Sequence, residues 1–219
     1  TLRLIQDLRV DGNVTLVRGN HDERYLLFYD RYADKLREGS LPSKRFAEAW
    51  LGPQGYSTLR QFRKRDWKFL QNTPLSYQTK GLTVVHGGLS PKIHQSPRHL
   101  EDSPKWSSKQ RSQIKTVMYI RELLKNGDVP KPNEHRRLVP WTELYDGRFG
   151  AVVYGHQPAP HVRHSLQTYG IDTACCYGNR LTSLIYEPGE PIYWESVNAR
   201  KCYAPSRSSK RLRYATAAN

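Results

Sequence analysis

Three short loops of this sequence carry side chains that can bind a metal ion. They are Gly-Asn-His-Asp at residues 19–22, His-Gly-Gly at 86–88 and Gly-His at 155–156. Imidazole nitrogens and carbonyl oxygens suit divalent transition metals. A glycine beside such a ligand lets the backbone turn sharply and approach an ion or a phosphate closely. The pattern therefore indicates a ligand site built from several loops.

Each of these loops directly follows a short run of residues typical of β-strands. The three runs are residues 14–17, Leu82–Val85 and Ala151–Tyr154. In α/β proteins, ligands bind in the loops beyond the carboxyl ends of the strands. The repeated arrangement therefore predicts that the three loops meet at one edge of a sheet.

The remaining pattern predicts helices in the first half of the chain and strands in its last part. Apolar spacing favours helices over residues 2–8, 22–36, 43–50, 57–70 and 110–125. Further strands are expected over residues 168–171, 180–186 and 192–197, and residues 90–108 have the composition of a long surface loop.

Composition limits the class of protein. The 219 residues include 35 Lys and Arg against 20 Asp and Glu, a formal net charge of +15 that favours polyanionic partners such as nucleotides or RNA. The apolar runs are far shorter than the roughly 18–20 residues needed to cross a bilayer, so no membrane association is expected. Three cysteines are too few for a disulfide framework, which predicts an intracellular reducing compartment, the cytoplasm or the mitochondrial matrix.

Four segments together resemble the calcineurin-like metallophosphoesterases. Within that family they are most similar to the diadenosine-tetraphosphatase-like (ApaH-like) branch of the phosphoprotein-phosphatase group. The segments are Arg-Gly-Asn-His-Asp-Glu at 18–23, Val-His-Gly-Gly-Leu at 85–89, Val-Tyr-Gly-His-Gln-Pro at 153–158 and Gly-Ile-Asp-Thr-Ala-Cys-Cys-Tyr-Gly-Asn-Arg-Leu-Thr-Ser-Leu at 170–184. The resemblance implies an α/β (α+β) fold, a four-layer metallophosphoesterase β-sandwich flanked by helices.

The resemblance also implies a hydrolase that uses two divalent ions, with Mn, Co, Zn, Mg or Fe all compatible with such ligands. By motif, the side chains of Asn20, His86 and His156 are expected to bind one ion. His21 is expected to act as general acid on the leaving group, with Asp22 of the same motif as a further catalytic-site residue. Two substrate-binding residues are expected at Arg121 and Tyr177.

Two earlier motifs of the family, Asp-x-His and Asp-x-x-Asp/Asn-Arg, do not occur in this sequence. They supply the first metal's ligands and the carboxylate partner of the general acid, so at most one full metal site is expected in this chain. The expected boundaries are residues 1–198 for the C-terminal part of the phosphoesterase domain and 199–219 for a basic tail. Three explanations stay open: a longer chain with an N-terminal segment, a separate partner chain that completes the sheet, or a degenerate relative.

Two functions from different classes follow. The first is a metal-dependent phosphohydrolase of phosphoanhydride or phosphoester bonds, in dinucleoside polyphosphates or capped RNA ends. The alternative is a catalytically degenerate subunit that binds RNA within a ribonucleoprotein such as a mitochondrial ribosome. The resemblance also leaves open a serine/threonine phosphoprotein phosphatase, because that sister branch uses the same metal ligands.

Overall fold

The computed structural model describes residues 2–94, 96, 107, 116–131 and 137–204. The chain divides into two units, residues 1–74 and 75–219. Described helices dominate the first unit and all described strands belong to the second, which confirms the predicted mixture of α and β structure. Within these ranges, no helix has the length and apolar character that a bilayer crossing requires.

The first unit contains five helices in its described residues. They are α1 (Leu2–Asp11), α2 (Asn20–Arg37), α3 (Lys44–Leu51), α4 (Gly55–Leu59) and α5 (Lys64–Gln71). The predicted helices over residues 2–8, 22–36 and 43–50 are confirmed, each with small shifts at its ends.

The single helix predicted over residues 57–70 is wrong, because the chain forms α4 and α5 instead. The Asp66 carboxylate accepts the backbone N–H of Arg63 at 2.8 Å and so starts a new helix there. A carboxylate that bonds the first free N–H groups of a helix stabilises that end against continuation of the preceding helix. Apolar spacing alone does not detect this break.

The strand predicted over residues 14–17 is also absent, and the segment that precedes α2 is irregular. The backbone N–H of Arg18 donates to the carbonyl of Pro74 at 2.7 Å. Proline has no N–H with which to extend such a contact into a ladder. The Arg18 guanidinium instead bonds Glu23 and the chain around Thr73, which fastens the irregular segment in front of α2.

Aromatic side chains form the core of the first unit. Phe28 is fully buried, and Trp50 and Trp67 lie in the same cluster. Tyr29 stacks on Trp67 with ring centroids 4.6 Å apart, and Phe28 meets Trp50 edge-on at 5.7 Å. Aromatic pairs in these geometries add about 0.5–1.5 kcal/mol each beyond the burial of their area. These contacts join α2, α3 and α5.

The second unit is built on a five-stranded sheet with two additional hairpins. The sheet has the order β1 (Ser76–Thr79), β2 (Leu82–Val85), β5 (Ala151–Tyr154), β7 (Thr168–Gly170), β6 (Arg163–Ser165), and the hairpins pair β3 (Glu122–Leu124) with β4 (Leu138–Pro140) and β8 (Arg180–Ile185) with β9 (Tyr193–Asn198). The strands predicted at β2, β5, β7, β8 and β9 are confirmed.

The central strands β2, β5 and β7 run parallel, so their carboxyl ends lie at one edge of the sheet. Val84 pairs with Val153, and the ladder continues where the N–H of Gly155 donates to the carbonyl of His86 at 2.9 Å. The core beneath this edge includes Val85, Trp141 and Val152. The sheet therefore brings the loops after β2 and β5 side by side.

The helix predicted over residues 110–125, with Arg121 on it, is wrong in its last part. Residues 116–119 are helical, and residues 122–124 form strand β3, so Arg121 lies between the two. Leu123 is fully buried in this arrangement, paired with Val139. Pairing with β4 satisfies the backbone while burying Leu123, and this tertiary contact outweighs the local helical preference. Residues 110–115 lie outside the described part of the chain.

Most of the loop predicted at 90–108 and of the basic tail predicted at 199–219 also falls outside the described residues. In the described part, Cys175, Cys176 and Cys202 are free thiols.

Candidate active site

His86 and His156 come together at the carboxyl edge of the sheet. Their ring centroids lie 5.1 Å apart with the ring planes at 63°, and both residues are partly buried. Two imidazoles that bind one tetrahedral ion at about 2.0–2.1 Å have ring centres roughly 5 Å apart. The separation therefore fits two nitrogen ligands of one divalent ion.

Small residues make room for the loop that carries His86. A Cβ on Gly87 would lie 2.8 Å from the backbone of Met118, and one on Gly88 would lie 2.4 Å from the Trp141 ring. The N–H groups of both glycines donate to the carbonyl of Val117, at 2.7 and 3.2 Å. The loop after β2 therefore packs closely against the core, and this packing fixes the backbone next to His86.

His156 occupies a strained backbone position. Its φ is 68°, and the N–H of Gln157 donates to the carbonyl of Gly155 at 2.8 Å, which makes His156 the centre of a three-residue turn. This γ-turn with positive φ is the rare type, and a side chain in the left-handed region costs about 1–3 kcal/mol. Such positions persist where the surroundings hold them, and they are frequent at functional sites.

A cavity of about 860 Å³ is lined by Tyr154 and Gln157, on either side of the Gly155–His156 turn, and neither His86 nor His156 lines it. Both predicted substrate-binding residues, Arg121 and Tyr177, line it, as do Gln157 and Arg163. The volume lies in the range of about 300–1,000 Å³ that is usual for small-molecule sites. Burial raises the pKa of the Tyr177 hydroxyl, and the positive charge of Arg121 partly opposes that rise. Carboxylates at Glu122 and Glu143 complete a mixed lining of donors and acceptors.

Asn20, His21 and Asp22 belong to the first unit, where they form the first turn of α2. The Asp22 carboxylate accepts the N–H of Gly19 at 2.9 Å, and burial raises its pKa. Desolvation and the nearby Arg24 charge lower the pKa of His21. Asp22 therefore orders the Asn20–His21 turn, and its catalytic role stays a prediction, as do those of Asn20 and His21.

The donor set in the described residues is incomplete for a metal centre of histidine, cysteine and carboxylate ligands. Across the described ranges no three such side chains cluster tightly enough to hold an ion. The pair formed by His86 and His156 accounts for two ligands of one ion, and the role of Asn20 as a further ligand stays a prediction.

Sequence reasoning missed two residues of this region, Gln157 and Arg163. Gln157 directly follows His156, so its position next to a predicted metal ligand could have identified it. Arg163 reaches the site because β6 pairs with β7 and β7 with β5. A contact that depends on the register of three strands has no local signature in the sequence.

The sequence from residue 1 to 185 matches the family model described as calcineurin-like phosphoesterase. The chain therefore belongs to this family, which comprises hydrolases that generally use divalent metal ions. The family predicted from the four motifs is thus confirmed, together with its fold class.

Two similar relatives carry the same name. The chain is 26% identical over 212 residues to the bis(5'-nucleosyl)-tetraphosphatase PrpE (asymmetrical) of Bacillus subtilis (strain 168), a match that covers 94% of this chain and 75% of the relative. It is 29% identical over 120 residues to the protein of the same name from Bacillus velezensis (strain DSM 23117 / BGSC 10A6 / LMG 26770 / FZB42). That second match covers 52% of this chain and 39% of the relative's length.

A solved crystal structure shares the fold. It is that of a candidate diadenosine tetraphosphatase, with a TM-score of 0.60 and 20% sequence identity, covering 90% of this chain and 72% of that one. At this identity the likeness supports the fold.

Proposed function

We propose that this chain acts as a metal-dependent phosphohydrolase on the phosphoanhydride bonds of dinucleoside polyphosphates or capped RNA ends. The observation that carries the proposal is the pair of imidazoles at the carboxyl edge of the sheet, with centroids 5.1 Å apart. Membership of the phosphoesterase family supports the reaction class, and the name shared by the two Bacillus relatives supports the substrate class.

His86 and His156 would hold the ion, and the motif resemblance assigns Asn20 to the same ion. When bound, a divalent ion supplies Lewis-acid polarisation of a phosphoryl oxygen and a water of lowered pKa. The experiment below uses Mn²⁺ as the divalent ion.

The cavity lined by Gln157, the residue after His156, would receive the rest of the substrate. Arg121 is exposed and donates through a planar guanidinium, which suits phosphate oxygens. The Tyr177 ring offers an aromatic surface, and the carboxylates of Glu122 and Glu143 can accept hydrogen bonds from the hydroxyl groups of a ribose. This mixture of cations, carboxylates and an aromatic ring suits a nucleoside phosphate.

The motif assigns proton donation to His21. Desolvation and the Arg24 charge lower the pKa of His21, which disfavours the charged ring, and a carboxylate partner would oppose that effect. Such a partner is what the resemblance assigns to the motifs that this sequence does not contain.

The test is hydrolysis of diadenosine tetraphosphate by the full chain with Mn²⁺, followed by chromatography of the products. We expect hydrolysis that stops when the metal is chelated, and a fall of about 100-fold or more in kcat for His86→Ala and His156→Ala. If His21 donates the proton in this chain despite the missing carboxylate partner, His21→Ala should lower kcat by about 10²–10⁴-fold, and an unchanged rate would show that it does not. His161→Ala, an exposed histidine of the same unit, serves as the matched control and should keep the wild-type rate. Undiminished turnover by His86→Ala would contradict the proposal.

The second candidate is a non-catalytic RNA-binding subunit of a ribonucleoprotein. The net charge of +15 favours it, because clustered Lys and Arg bind phosphates without regard to sequence. It predicts RNA binding that survives His86→Ala and chelation of metal, with no hydrolysis of the dinucleotide.

A further inference from the structure

The strained turn at His156 needs neighbours that hold it, because its backbone alone favours another conformation. The rotation of this turn decides where the imidazole points. A change in φ at His156 would swing its ring away from that of His86, which lies 5.1 Å away. Whatever fixes the turn therefore fixes the geometry of the imidazole pair.

Arg163 contacts the residues on both sides of this turn. Its Nη1 donates to the side-chain oxygen of Gln157 at 2.7 Å, and its Nη2 donates to the backbone carbonyl of the same residue. On the other side, its guanidinium lies over the Tyr154 ring, 5.8 Å from the centroid. The two-residue segment Gly155–His156 is thus enclosed between two contacts of one guanidinium.

The register of the sheet creates this arrangement. Arg163 of β6 and Tyr154 of β5 both pair with Gly170 of β7, so the three residues form one row across the strands. Gly170 carries no side chain, and a Cβ there would lie 2.7 Å from the Tyr154 ring. The ring can therefore lie over the glycine, where the Arg163 guanidinium covers it.

This arrangement leaves one donor of the Arg163 guanidinium without a hydrogen bond. Its Nε is buried and has no hydrogen-bond partner among the described residues. A buried donor without a partner is unfavourable, so the two bonds to Gln157 must outweigh that loss. Burial raises the pKa of the Asp172 carboxyl, and the positive charge of Arg163 partly opposes that rise. The guanidinium nonetheless directs its Nη groups to an uncharged amide.

We propose that Arg163 is a positioning residue for the metal site, which acts through Gln157 to hold His156 facing His86. This inference rests on the proposed function, since it assigns a metal to the two imidazoles. Residues that orient metal ligands from outside the coordination sphere typically affect metal affinity about 10–100-fold.

Direct titration of the metal-free chain with Mn²⁺ by calorimetry tests the proposal. Arg163→Gln keeps a polar side chain but removes the forked guanidinium, and it should weaken Mn²⁺ binding by about 10–100-fold with the circular dichroism spectrum unchanged. Arg163→Lys should recover only part of the affinity, because an ammonium cannot bond both Gln157 oxygens in the same planar geometry. Arg180→Gln, an exposed arginine of the same unit, is the control and should bind as the wild type does.

Gln157→Ala removes the side-chain acceptor and leaves the backbone carbonyl. If Arg163 acts through Gln157, the effects of Gln157→Ala and Arg163→Gln on Mn²⁺ affinity should not add in the double variant. Full additivity would overturn the proposal, as would an Arg163→Gln affinity within twofold of the wild-type value. Should Arg163→Gln fail to fold, the titration of Gln157→Ala decides, with an unchanged affinity counting against the proposal.

A measurement without metal separates this inference from the proposed function. Ring protons of His86 and His156 should show a nuclear Overhauser effect in the metal-free wild type, and Arg163→Gln should weaken or lose it. If the wild type binds no Mn²⁺ the proposed function fails, and this experiment still tests the positioning role. An unchanged Overhauser effect in Arg163→Gln would overturn it.

Discussion

Tyr145 fixes the point at which the chain enters β5. Its hydroxyl donates to the carbonyl of Gly150 at 2.8 Å and accepts the N–H of Phe149 at 3.0 Å. Tyr145 is 7% exposed, so its hydroxyl is held in place by the surrounding core, while Phe149 and Gly150 are partly buried. One side chain therefore satisfies two backbone groups immediately before the strand that leads to His156.

Replacing Tyr145 with Phe should lower the free energy of unfolding by about 1–2 kcal/mol, because both backbone groups lose their partner. Urea denaturation followed by fluorescence measures this. Tyr77→Phe, at an exposed position of β1, is the matched control and should change stability by less than about 0.5 kcal/mol. If Tyr145→Phe and Tyr77→Phe changed the free energy of unfolding equally, the two hydrogen bonds of the Tyr145 hydroxyl would contribute nothing specific to stability.

The same hydroxyl predicts a pH dependence. Burial raises the pKa of Tyr145 above its ordinary value of 10.0, so at alkaline pH the folded chain holds a proton that the unfolded chain has lost. Its contribution to stability is therefore complete below pH 10.0 and decreases as the pH rises above that value. The difference in stability between wild type and Tyr145→Phe should shrink in that window, and a constant difference would contradict this.

Among elements, α5 shows how one carboxylate joins two helices. Asp66 is 2% exposed; it accepts the Arg63 N–H and also the amide of Gln6 in α1, at 2.9 Å. The first contact begins α5, and the second links α1 to it. The carboxylate thus specifies a helix start and a helix–helix contact together.

Asp66→Ala should destabilise the first unit by about 1–3 kcal/mol, through loss of the helix-start contact and of the partner of Gln6. Asp34→Ala removes an exposed carboxylate that pairs with Arg37 on the surface of α2, and it should cost less than about 0.5 kcal/mol. Thermal unfolding of both variants by circular dichroism measures the difference. Similar melting temperatures for the two variants would contradict the anchoring role of Asp66.

The elements also show what the sequence could and could not predict. Strands β2 (Leu-Thr-Val-Val) and β5 (Ala-Val-Val-Tyr) lead directly into His-Gly-Gly and Gly-His, and they were predictable because local composition and burial agree. The break between α4 and α5 depends on one carboxylate, and β3 depends on pairing with β4. The position of Arg163 depends on the register of three strands. Features set by tertiary pairing are the ones that periodicity alone misses.

At the scale of the whole molecule, the main property is the net charge of +15, which belongs to the chain rather than to any single residue. It predicts attraction to polyphosphates and RNA through release of counterions. For a short single-stranded RNA, the logarithm of the association constant should fall linearly with the logarithm of salt concentration between about 50 and 200 mM. An uncharged methylphosphonate strand of the same sequence should bind far more weakly. Equal binding of the two strands would contradict an electrostatic partner surface.

The proposed metal centre requires that His86 and His156 bind one and the same ion. The most direct measurement is anomalous diffraction at the manganese edge from crystals of the full chain grown with Mn²⁺. We expect a peak bonded to the imidazole nitrogens of both His86 and His156. Crystals that diffract well and show no anomalous peak between these two rings would contradict the proposed metal centre.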